Sequence, residues 1–135
     1  MKNLRPVLLV LAVLLMATAA HAQESKVAAT IPFNFVAGDR AYPAGEYLLS
    51  NNGAVLKIIG ADQTTVMLSN ACEKVTPSTT TKVVFSQMGG AYFLKQIWLA
   101  GDPSGRELPR SKMEIRLAQN HEKSEPVIVA ANIVK

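Results

Sequence analysis

The chain predicts an all-β fold: a small antiparallel β-barrel or two-sheet sandwich of about six or seven strands, with one short helix before the last strand. Three observations carry this expectation. Apolar and polar residues alternate with period two over short runs, turn-forming residues separate those runs, and two glycine turns join segments whose apolar faces match. Each strand has an apolar face to bury and each edge strand invites aggregation, so the sheet must close on itself or form layers. The pattern alone does not choose between barrel and sandwich.

The N-terminus stands apart from that domain. MKNLRP carries Lys2 and Arg5, the uncharged apolar run VLLVLAVLLMATAA follows, and Ala20-His21-Ala22 puts small residues where a processing enzyme needs them. This is the three-part pattern of a secretory signal peptide cleaved before Gln23. The apolar run falls short of the roughly 20 residues that span a bilayer, which argues against a retained anchor. No Cys marks a lipid anchor at the cleavage point, and no twin arginine precedes the run. The expected organisation is residues 1–22 as a signal peptide and 23–135 as one β domain, periplasmic or extracellular, with no transmembrane span after cleavage. Cleavage leaves 113 residues with 12 basic and 10 acidic side chains. Such a mixed surface lacks the clustered Lys and Arg with stacking aromatics that nucleic acid requires, so nucleic acid is not an expected partner.

Taken in order, Ile31, Phe33 and Phe35 alternate with Pro32, Asn34 and Val36, predicting a first strand on which Pro32 marks a start or an edge. Turns follow at 37–40 and 43–45. In EYLLSNNGAVLKII, a turn at Asn52-Gly53 pairs Leu49 with Leu56 and Tyr47 with Ile58 on one face. Leu48 with Lys57 and Ser50 with Val55 take the other face. Asn-Gly suits a type I′ turn, in which both central residues take positive φ. Residues 64–70 (TTVMLSN) form another strand, and the polar run 76–81 is a loop too short to divide domains. In KVVFSQMGGAYFLKQIW, a Gly89-Gly90 turn pairs Phe85 with Leu94 and Val83 with Gln96. Tyr92 and Trp98 then share their face, with Lys82, Ser86 and Lys95 opposite. Residues 126–134 (PVIVAANIV) supply a further strand.

The most charged stretch is GDPSGRELPRSKMEIRLAQ, residues 101–119. Residues 101–105 read as a turn. Ser111 and Glu114 match a capping box, in which the Ser hydroxyl accepts from the Glu114 amide and the carboxylate returns to the Ser111 amide. A helix is expected over 112–119, held to the sheet by Met113 and Leu117 with Ile115 alongside, and stopped by Asn120 in the left-handed conformation. With Glu114 used as a cap, Arg106, Arg110, Lys112 and Arg116 remain as the candidate anion or partner patch. The competing reading is a solvated helix face.

Chemistry is otherwise sparse. Cys72 is the only cysteine, so no internal disulfide can form, and a buried thiol is expected in preference to a Cys72-linked dimer. His121 is the one histidine left after cleavage and is expected to be solvated. Asp39, Glu46, Asp62 and Asp102 lie in or beside turns, where capping accounts for them. There is no CxxC, HExxH, G-x-S-x-G, P-loop or GxGxxG. The expectation is no catalytic residue, no cofactor site and no metal site, and a protein that is not an enzyme; a hydrolase built on dispersed carboxylates is the least favoured alternative.

The runs IPFNFVAGDRAYPAGEY, KVVFSQMGGAYFLKQIW and GRELPRSKMEIRLA resemble a family of small uncharacterised exported bacterial proteins. Its pattern is F-x-F/V…LPAGEY, then KLVFHRYG-x-x-YFL…W, then LP-x-S-x-x-E-x-x-LA, and the likeness covers about Ile31 to Ala118. This chain departs at Ser86, Gln87 and Met88, where the family has His-Arg-Tyr, so no role for that histidine carries over. The resemblance implies export and a β fold, and implies no activity. The functional expectation is thus an exported non-enzymatic β domain that binds a protein, a surface or a small ligand. The alternative is a small barrel carrying an apolar ligand; Phe33, Phe35, Tyr47, Phe85 and Trp98 filling the interior would count against it.

Overall fold

A computed structural model describes residues 24–134; the expected signal peptide and its cleavage point lie outside them. The strands are β1 (Ser25–Ile31), β2 (Phe35–Ala37), β3 (Arg40–Tyr42), β4 (Gly45–Asn52), β5 (Val55–Ile59) and β6 (Thr64–Leu68). They continue with β7 (Asn70–Glu73), β8 (Lys82–Met88), β9 (Ala91–Trp98), β10 (Ser104–Glu107), β11 (Glu125–Ala130) and β12 (Asn132–Val134). Helix α1 (Lys112–Gln119) lies between β10 and β11. The first sheet runs β12-β1-β4-β5-β6 and the second β11-β8-β9-β10-β7, with β2 joined in parallel to β9 and carrying β3. The fold is therefore a two-sheet sandwich and not a closed barrel.

Two of the strands beyond the expected number arise because two long segments each break across a single small residue. β6 and β7 are separated only by Ser69, and β11 and β12 only by Ala131, so each segment leaves one sheet and enters the other. Such corners are how layered β folds change sheet without a loop. At the first corner the Ser69 amide donates to the Ala54 carbonyl (2.8 Å), and at the second the Ala131 amide donates to the Thr81 carbonyl (3.1 Å). The expected first strand is divided as well. β1 ends at Ile31, before the amide-lacking Pro32, and Phe33 lies in the bend with its ring stacked on Tyr92 at 3.9 Å.

The first hairpin forms with the expected faces but a different turn. Gly53 and Ala54 are its central residues, and Leu49 pairs with Ile58 and Asn51 with Leu56. Gly53 takes φ +59° while Asn52 does not enter the left-handed region, which matches the glycine-first requirement of a type II′ turn. The slip carries the partner strand two residues along, so Tyr47, Leu49, Leu56 and Ile58 all remain buried. It also sets Gly60 beneath Tyr47, where a Cβ would come within 2.8 Å of the ring. An aromatic ring covering a bare glycine is the contact that the expected register would forfeit.

The second hairpin holds its expected pairing of Phe85 with Leu94, then departs from it. A β-bulge leaves Lys95 unmatched, so Val83 pairs with Ile97 rather than Gln96. Beyond the bulge the faces invert: Ile97 enters the inter-sheet core, while Trp98 falls on the outer face of the second sheet, correcting its expected interior position. There Trp98 is 1% exposed, packed against Gly105 and lying under the Lys74 ammonium at 4.2 Å. The interior is filled by other rings. Phe35 stacks on Tyr42 at 5.1 Å and meets Tyr47 and Phe85 edge-on at 5.1 and 5.5 Å.

Helix α1 occupies its expected span, and Ser111 is its N-cap, accepting from the Glu114 amide at 3.1 Å. Its inward face differs from the amphipathic reading. Glu114 is the buried residue, 4% exposed, whereas Met113 is 47% exposed. The Glu114 carboxylate does not return to the cap; it accepts from Lys95 Nζ at 3.0 Å, so the residue extruded by the bulge anchors the helix. Leu117 packs over Gly89 in the hairpin turn. Asp39, from the turn between β2 and β3, accepts from the Lys112 amide at 3.0 Å and so caps a helix far away in sequence. At the C-terminus the left-handed residue is His121 (φ 62°) and not Asn120. The Glu122 amide donates to the Leu117 carbonyl and the His121 amide to the Ala118 carbonyl, both at 3.1 Å, which is a Schellman motif.

Candidate functional site

The inner faces of the two sheets part at one end of the sandwich. Val27 from β1, Leu49 and Leu56 from the first hairpin, and Ile97 with Leu99 from the end of β9 wall a cavity of about 200 Å³. Strand alternation puts all five side chains on inner faces, and the Lys95 bulge is what brings Ile97 there. The walls are apolar and the rim is polar.

Arg106 is the rim's cation. Residues 101–105 were expected to form a turn, yet Ser104–Glu107 is strand β10, pairing Arg106 with Ala71 on one side and Ile97 on the other. Alternation sends Gly105 and Glu107 to the outer face and Arg106 inward, toward the mouth. The guanidinium reaches the corner between the sheets: Nε donates to Ser69 Oγ at 2.9 Å, and Nη2 donates to the Ser69 carbonyl. Among the described residues Arg106 has no carboxylate partner, and Nη1 has no hydrogen-bond acceptor. A half-buried cation whose hydrogen bonds go to neutral acceptors alone keeps donor capacity for an anion.

Asp102 and Asn51 complete the rim. Asp102 Oδ1 accepts from the Ser104 amide at 2.8 Å, closing the turn before β10, which is the capping role expected of it. Asn51 contributes a side chain to the lining, and its Oδ1 is buried with no partner among the described residues. A buried polar atom left unsatisfied calls for an explanation, and a ligand group is one.

The four cations of the candidate patch are thus not one patch. Arg106 is committed to the corner and the mouth, whereas Arg110, Lys112 and Arg116 are exposed in and before α1. Nothing local in the sequence marks Asn51 and Ser69 as site residues; the strand pairing of β7 with β10 is what brings Ser69 to Arg106.

Cys72 is half-buried on the outer face opposite Gly105. Burial, and then the neighbouring Glu107 carboxylate, push its thiol pKa above the ordinary value, so it stays protonated at neutral pH. Ser86 is buried and hydrogen-bonded to Ser124 Oγ at 2.5 Å. Among the described residues no three His, Cys, Asp or Glu side chains gather to hold a metal, and no helix is long and apolar enough to cross a membrane.

These features define a two-sheet β-sandwich with an apolar mouth and one buried-side cation. No family model matches the chain, and neither a curated protein nor a solved structure matches it.

Proposed function

We propose that the protein is an exported, non-enzymatic binding module, working in the periplasm or outside the cell, that takes up a small ligand at the mouth between its sheets. The observation that supports it is the mouth itself, an apolar cavity of about 200 Å³ with Arg106 at its rim, hydrogen-bonded to neutral acceptors only. Carriage of a large apolar ligand fits less well, because Phe35, Tyr42, Tyr47 and Phe85 fill the interior beyond the mouth.

Native mass spectrometry of protein recovered from the exported fraction of its own cells tests this reading. A stoichiometric small-molecule adduct, lost on unfolding, supports it. Protein that carries nothing, or that is found only in the cytoplasm, contradicts it. So does an adduct fully retained by Ala71→Leu, a substitution that adds bulk to the cavity wall.

A further inference from the structure

We propose that the ligand of the mouth is a small monocarboxylic acid whose apolar part is about the size of one ring, with its carboxylate held by Arg106. This deepens the binding-module reading and rests on it.

Volume limits the apolar part. Pockets for drug-sized ligands run from about 300 to 1,000 Å³, while a cavity of about 150 Å³ lined by apolar side chains holds benzene. At about 200 Å³ the mouth encloses a single ring or a short branched chain and nothing larger. The walls formed by Val27, Leu49, Leu56, Ile97 and Leu99 offer such a group no hydrogen bond, so its gain there is burial alone.

Arg106 sets the polar part. Its Nε and one N–H of Nη2 are engaged by Ser69, which fixes the plane of the guanidinium and leaves Nη1 as a pre-oriented donor beside the second N–H of Nη2. A charge already ordered before binding loses little side-chain entropy when an anion arrives. Because its existing acceptors are neutral, the carboxylate would be its first ionic partner among the described residues. Asn51 adds a second polar side chain, and an amide can present either its oxygen or its nitrogen. Asp102 opposes an anion, with one oxygen already taken by the Ser104 amide. One carboxylate on the ligand is therefore favoured over two.

The test is titration of the purified protein with phenylacetate and with phenylacetamide, followed by calorimetry and methyl NMR. The acid should bind saturably, shift the methyl resonances of Leu49, Leu56, Ile97 and Leu99, and bind about tenfold tighter than the amide, the scale of one charge-assisted hydrogen bond. Arg106→Gln should abolish the preference for the acid. Should that variant fail to fold because Arg106 also ties the corner, Arg106→Lys keeps the charge and should retain part of the preference. Asp102→Asn preserves the turn's acceptor and should tighten the acid severalfold while leaving the amide unchanged. Equal binding of acid and amide at the mouth overturns the carboxylate assignment and leaves the module reading standing. No shift at the mouth with either compound overturns both. Tightening of the amide by Asp102→Asn as much as the acid also overturns the ionic reading.

Discussion

Gly105→Ala turns on the sign of a stability change. Gly105 lies in β10 directly opposite Trp98, and a Cβ there would stand 2.7 to 2.8 Å from three atoms of the indole ring. Carbon pairs are comfortable at about 3.5–4.0 Å, so the overlap is about 1 Å. The ring has little room to retreat: it is 1% exposed, Nε1 donates to Gln96 Oε1 at 3.0 Å, and Lys74 lies over it. Overpacking of this kind costs about 1–3 kcal/mol. The backbone at Gly105 is not left-handed, so alanine meets no conformational strain and regains about 0.5–1 kcal/mol of strand preference. The net expectation is destabilisation by about 1–2 kcal/mol. Urea unfolding followed by the fluorescence of Trp98 measures it, read as a lower midpoint at unchanged slope. In a double-mutant cycle followed by circular dichroism, since Trp98 is the only tryptophan, Trp98→Leu should cancel most of the Gly105→Ala cost. A Gly105→Ala protein as stable as the parent, or more stable, would refute the placement of Trp98 on the outer face against β10.

Other outcomes follow from the helix and the titrating groups. Glu114→Gln strips a largely buried lysine of its partner and should cost about 3 kcal/mol by thermal unfolding, whereas Lys95→Met with Glu114→Leu should be close to neutral. His121→Gly relieves a left-handed residue at the helix end and should raise stability by about 0.5–1 kcal/mol; a loss of stability would contradict the Schellman geometry. Alkylation of Cys72 should be slower at pH 8 than that of an unstructured cysteine, and Glu107→Gln should speed it, measured by mass spectrometry over time. Cys72 and Tyr47 both have folded pKa values raised by burial, so their contributions are complete below the unfolded pKa values and are lost as pH rises through the folded ones. Stability should accordingly fall on the alkaline side, and a denaturation midpoint that rises above pH 9 would contradict this.

Several features were legible in the chain because they are local. The inward set Tyr47, Leu49, Leu56 and Ile58 survives a two-residue slip, since period-two parity is unchanged by it. Ser111 announces the helix start through its own hydroxyl, and the span Lys112–Gln119 follows. Where inference from the residues erred, a distant partner decided the outcome. Period two alone puts Trp98 inside, because one extra residue, Lys95, inverts every face beyond it, and the partner that holds Lys95 is Glu114, on a helix later in the chain. Glu114 looks like a self-sufficient cap for the same reason, its true partner being Lys95. The mouth was invisible because its rim joins β1, the first hairpin and β10, and because Arg106 reads as a loop charge until its strand pairing is known.

The central claim is an open apolar mouth between the sheets with Arg106 fixed at its rim, and a crystal structure of the protein under xenon addresses it directly. Xenon enters apolar cavities of this size. The account predicts an atom bound among Val27, Leu49, Leu56, Ile97 and Leu99, with the Arg106 guanidinium on Ser69. A mouth closed by Leu99 or by Arg106 itself, with no xenon between the sheets, would contradict it.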